Sequence, residues 1–193
     1  MNNKIQLDHS AAVLKSRELL AKNPVYIDTE TTGIDDVAQI IDIAVVDSDG
    51  TILINTLIKP TAPIPAGATA IHHITDKMVY GAPTWAEAWP LVNAIMRDRL
   101  VITYNADYDM RMIRQSCKAH GIGTDYKFQS ACAMLLFADF YGDFNEYRGS
   151  YRWKKLDAAA KIAGYQEWVA HRAVGDTLAT LAVMHYMAKE AAE

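Results

Sequence analysis

Apolar residues fall along this chain in short runs that alternate between two spacings. After Pro24 the run VYIDTE (25–30) is compact, rich in strand-favouring residues and closed by TTG, and QIIDIAVV (39–46) repeats that signature; both read as strands. DSDG at 47–50 supplies a turn and TILINTLIK (51–59) returns antiparallel. The proline-rich stretch 60–67 then ends it, because proline donates no hydrogen bond to a ladder. LVITYNA (100–106) and KFQSACAM (127–134) complete the strand candidates.

Between and after these runs the apolar spacing becomes helical. A short helix is expected over 10–22, started by Ser10 and stopped by Asn23-Pro24, as an N-terminal helical appendage occupying residues 1–23. Thr84 and Glu87 have capping-box spacing, and Leu91, Val92, Ile95 and Met96 give one apolar face, so 85–97 is a helix despite Pro90. DYDMRMIRQSCKAHG (107–121) is a third, with Asp107 the expected N-cap and Gly121 its end. Two more are expected near 155–163 and 172–190. Interleaved strands and helices with two hairpin-like first connections predict one α/β unit with a mixed sheet over residues 24–193.

The net charge of -4 and pI near 5.8 exclude a generally basic nucleic-acid surface, so any such contact must be local. One stretch qualifies: YRGSYRWKK (147–155) interleaves Tyr147, Tyr151 and Trp153 with Arg148, Arg152, Lys154 and Lys155. It reads either as a surface that stacks bases and meets phosphates, or as a loop whose aromatics pack inward while its cations face water. Cys117 and Cys132 form no CxxC pair and read as free thiols of a reducing compartment. No apolar run approaches the roughly 18 residues of a membrane span. Lys15, Arg17, Glu18 and Lys22 stand where a signal peptide would be apolar. The expectation is a cytoplasmic protein with no membrane partner.

Three acidic segments carry the candidate chemistry. Asp28 and Glu30 are two apart on a strand, so their carboxylates share a face, where they repel unless a cation neutralises them. Asp109 follows a strand and opens a helix; if Asp107 caps that helix, Asp109 is free for another task. In HRAVGD (171–176), His171 and Asp176 lie at the start of the last helix, and an imidazole suits proton transfer near neutral pH. Each has an ordinary alternative: a solvated loop mouth, an N-cap, or a first-turn acid favoured by the helix dipole. Asp42, inside an apolar strand, reads as a hydrogen-bonding group rather than a metal ligand.

Taken together, DTETTG (28–33), NADYD (105–109) and HRAVGD (171–176) resemble the DEDDh 3′→5′ exonucleases of the ribonuclease-H-like superfamily, and most of all their exonuclease X and polymerase-proofreading branches. AIHHIT (70–75) and KLDAAAKIAG (155–164) extend the likeness over about residues 24–185. The chain departs from the family's frequent His at Tyr104 and its usual Gly at His73.

The resemblance implies a ribonuclease-H-like mixed five-stranded sheet flanked by helices on both faces. It implies Asp28, Glu30, Asp109 and Asp176 as carboxylates holding two divalent cations, Mg²⁺ or Mn²⁺, and His171 as general base. Thr31, Thr32, His72 and Asn105 would contact the terminal nucleotide. The implied reaction is 3′→5′ hydrolysis of nucleic acid with a free 3′ end to nucleoside 5′-monophosphates, DNA favoured over RNA and single-stranded ends expected. With only 17 residues after Asp176, a stand-alone enzyme is expected rather than a polymerase subunit. The alternatives are an exoribonuclease and a catalytically silent module that binds nucleic acid or a polymerase.

Overall fold

The computed structural model of the chain describes residues 2–123, 128–166 and 171–191. Lys127, the expected start of the fifth strand, lies outside the described residues. The chain begins with α1 (Asn2–Leu20) and then makes the antiparallel meander β1 (Val25–Thr31), β2 (Ile40–Asp47) and β3 (Ile52–Leu57). Short helices α2 (Ala66–His72) and α3 (Asp76–Val79) lead to α4 (Trp85–Met96). Next come β4 (Leu100–Thr103), α5 (Ala106–Ala119), β5 (Gln129–Cys132) and α6 (Ala133–Tyr141). A small hairpin, β6 (Phe144–Asn145) and β7 (Ser150–Tyr151), precedes α7 (Leu156–Ile162) and α8 (Ala173–Lys189).

The main sheet has the order β3-β2-β1-β4-β5, with β4 parallel to β1 and β5 parallel to β4. It is the mixed five-stranded sheet that the resemblance implied. Alternation along each strand divides its side chains between two cores. Tyr26, Val46 and Ile102 pack with α1, α6, α7 and α8, whereas Val25, Ile27, Val45 and Val101 pack with α4 and α5. Helices therefore cover both faces.

Several local expectations hold. Thr84 and Glu87 make both bonds of the capping box that starts α4. Gly121 has φ 66° just after α5, a left-handed position that favours glycine. Asp107 does not cap α5: Asn105 is the N-cap and the helix starts at Ala106, so Ala106 and Asp107 are helical where Asp107 was expected to cap. The first helix starts at Asn2 rather than Ser10, which is buried in its middle, and Ala12, Val13 and Leu19 enter the core beside α6 and α8. Gly142 (φ 78°) closes α6 and permits this close approach, since a Cβ there would come 2.9 Å from Ile5 Cγ2.

A register shift follows Glu30 on β1: Glu30 faces Asp42 and Thr31 faces Ile40, which leaves Ile41 as the additional residue on β2. Such irregularities re-aim side chains. Ile41 turns into a separate small core with Ile64, Ile74 and Val79, and this seats α2 and α3 beside the end of β1.

Candidate active site

The site forms where β1 ends. Asp28 and Glu30 point to the face covered by α8, whose first turn carries Asp176. Between them, Thr29 points to the opposite face, and its hydroxyl donates to Asp109 Oδ1 at 2.9 Å, tying the first turn of α5 to the strand. Ligand atoms of Glu30, His171 and Asp176 all lie within 4.8 Å of one another. His171 is exposed, Asp28, Glu30 and Asp176 are half-buried, and Asp109 is only 3% exposed.

The electrostatics follow from crowding like charges out of water. Burial, then the carboxylates of Asp176, Asp42 and Asp109, push Glu30 up to about 8, with Arg172 opposing. Burial pushes Asp109 up to about 7, against the hydrogen bond from Thr29. Asp28 is held well above the usual carboxylate range by burial and then by Asp109, Asp176 and Glu30. Carboxylates crowded closely enough to raise one another's pKa, with the Arg172 guanidinium nearby, make the end of β1 attractive to cations.

Position and orientation of His171 depend on its neighbours. Its backbone is left-handed, φ 61°, and its N–H donates to Asp176 Oδ2 at 3.1 Å. The next residue, Arg172, is the N-cap of α8 and donates through Nε to Asp42 Oδ2 at 2.9 Å. Asp42 is 1% exposed on β2, directly across from Glu30. Its reading as a hydrogen-bonding group is met, in the form of an ion pair. Sequence reasoning did not find this partner or the role of Thr29. The available signal was a charge inside the apolar run IIDIAVV, which must be paired when buried.

The residues expected near the terminal nucleotide are placed as follows. The Thr31 hydroxyl donates to Gly33 O at 2.7 Å and meets Tyr108 Oη at 2.6 Å, and Thr32 Oγ1 accepts from Gln39 N, so both shape the turn after β1. His72 is buried; its Nδ1 accepts from Ile74 N, which puts the proton on Nε2, and burial lowers its pKa. Asn105 is exposed at the start of α5 and makes no side-chain capping bond. His73, where the resembled family usually has glycine, is left-handed at φ 60°. Tyr104, the other departure, donates to Lys154 O at 2.8 Å.

The mixed five-stranded sheet in the order β3-β2-β1-β4-β5, with helices on both faces, has ribonuclease-H-like architecture. Comparison with known proteins narrows the class: a family model described as "Exonuclease" matches residues 25–184, and the chain belongs to that family. It is 44% identical over 181 residues to "Uncharacterized exonuclease CP81" of Escherichia phage 186, covering 91% of this chain and 93% of that one. It is 28% identical to the DNA polymerase III subunit epsilon of Aquifex aeolicus, over 86% of this chain and 81% of that one. Among solved structures, exonuclease X in complex with 5′ overhanging duplex DNA superposes with a TM-score of 0.64 at 26% identity, covering 84% of this chain and 90% of that one. Metal dependence is typical of the family. No helix among the described residues is long and apolar enough to cross a membrane.

Proposed function

We propose that the protein is a 3′→5′ exonuclease of the DEDDh type that acts alone on DNA with a free 3′ end, single-stranded ends above all, and releases nucleoside 5′-monophosphates. The observation that carries the reading is the cluster of Glu30, His171 and Asp176, whose ligand atoms lie within 4.8 Å of one another, with the Asp28 and Asp109 carboxylates near enough to act on each other electrostatically. The donor set fits hard divalent cations, since it offers carboxylate oxygens whose mutual repulsion such ions relieve. Asp28, Glu30, Asp109 and Asp176 would hold two of them, Mg²⁺ or Mn²⁺. When bound, such a pair supplies positive charge to both the attacking and the leaving oxygen of an in-line displacement.

The chain's own groups supply the rest. His171 reaches solvent and accepts the proton of the attacking water, so it must enter the reaction neutral. Water's oxygen then forms a bond to the terminal phosphorus, the bond from phosphorus to the 3′ oxygen breaks, and that oxygen takes up a proton. Thr29 holds the Asp109 carboxylate toward the site, and Thr31, Thr32, His72 and Asn105 frame the place for the last nucleotide.

The test is incubation with a 5′-labelled single-stranded DNA oligomer in Mg²⁺, in Mn²⁺ and with chelator, beside Asp28→Ala and a matching RNA. Metal-dependent shortening from the 3′ end of the DNA, absent in Asp28→Ala, is the expected result. Degradation of the RNA alone would reassign the substrate, and no cleavage of either strand would leave a binding module.

A further inference from the structure

The active-site reading leaves the β6–β7 hairpin without a task, and its surface is unlike the rest of this acidic protein. Tyr147 at the tip is 98% exposed and Trp153 just beyond β7 is 57% exposed, so both rings present a face to solvent. Between and beside them stand Arg148, Arg152, Lys154 and Lys155. Asp143 pairs with Arg152 at 2.8 Å and with Lys154 at 4.0 Å, while Arg148 and Lys155 make no ion pair among the described residues. A groove of about 460 Å³ runs along the hairpin, lined by Asn145, Arg148, Ser150, Tyr151, Arg152 and Trp153.

Two anchors make this a fixed platform. On one side Tyr151 donates to Asp8 Oδ2 of α1 at 2.6 Å, Lys4 of α1 sits over the Phe144 ring, and Phe144 meets Tyr151 edge-on. On the other, Lys154 O accepts from Tyr104, the residue directly before Asn105, the N-cap of the helix whose first turn carries Asp109. The exit of the hairpin is therefore fastened to Tyr104, one residue past the end of β4 and five residues before Asp109.

We propose that this hairpin is the binding surface for the single strand of DNA lying 5′ of the terminal nucleotide, a role that rests on the exonuclease reading above. Unpaired bases have free faces to stack on Tyr147 and Trp153, whereas bases within a duplex are already stacked. Phosphates between them meet Arg148 and Arg152. A basic, aromatic platform beside an acidic site also resolves an electrostatic conflict, because the four carboxylates repel the polyanion that must reach them.

The experiment measures the affinity of 5′-fluorescein oligothymidylates, from a dinucleotide to a dodecamer, by fluorescence anisotropy in Mg²⁺. The proteins are Asp28→Ala, in which cleavage is blocked, and the same chain with Tyr147→Ala, Trp153→Ala or Arg148→Ala added. Each added change should weaken the dodecamer about tenfold, while dinucleotide affinity stays the same. Arg148→Ala should also reduce the salt dependence by about 0.7 in slope, one phosphate contact on a single strand. Trp153→Phe should restore most of the affinity that Trp153→Ala loses. Equal affinities for the dodecamer, or an equal loss at every length, would overturn the assignment. Digestion by the unaltered chain is followed separately, so a failure of the exonuclease reading and a failure of this surface are seen in different proteins.

Discussion

His171 stands in a left-handed backbone conformation that a residue with a Cβ adopts at a cost, and something must hold it there. Arg172, next in sequence, is held to Asp42 at 2.9 Å, and Asp42 is almost wholly buried on the strand beside Glu30. Removing the guanidinium would leave that carboxylate buried without a partner, which costs about 3 kcal/mol. Arg172→Ala is therefore expected to lower the melting temperature by about 10 °C. It should also reduce kcat about tenfold to a hundredfold with little change in KM, since an orienting group is lost rather than a substrate contact. A stability loss with unchanged kcat would limit the pair to a structural role. The ligand candidates Asp28 and Glu30 were legible because strand alternation fixes their common face. Arg172 was not, because its partner lies 130 positions away and only the packing of α8 on β2 brings them together.

Elements were legible in proportion to how well local rules specified them. Thr84 and Glu87 announced α4, and the predicted capping box forms. Thr84→Ala should cost about 1 kcal/mol, seen as a lower denaturation midpoint with an unchanged slope. By contrast α6 was not foreseen: the expected strand ran on to Met134, two residues into it, and the short apolar run AMLLFADFY fits either period. Packing decides it, since Phe137 and Phe140 enter the core alongside α1 and α8. The hairpin β6–β7 has two residues per strand, too few for any periodic signal, and is held by contacts to Asp8 and Tyr104. Helices α2 and α3 were hidden behind the prolines, and they are seated by Ile41, which the register shift turns toward them.

For the molecule as a whole, the raised carboxyls link stability to pH and to metal. Glu30 titrates near 8 and Asp109 near 7 when folded, against ordinary values of 4.5 and 3.8. Because the folded values are the higher ones, these groups favour the metal-free fold at low pH, and that contribution is lost as pH rises through about 7 to 8. In chelator the melting temperature should fall between about pH 5 and pH 8. Mg²⁺ at about a hundred times its Kd should restore roughly 5–10 °C at the upper pH and much less at the lower. The same metal response at both values would contradict the proposed role of these carboxylates.

The groups that meet at the end of β1 are drawn from positions 28, 30, 109, 171 and 176. During synthesis from the N-terminus, the β1 acids emerge first and the HRAVGD segment last, when most of the sheet already exists. An unfinished chain still on the ribosome thus carries part of the proposed cation site and not the proposed base. The order of the motifs means that the proposed hydrolytic set is assembled only once α8 docks on the sheet.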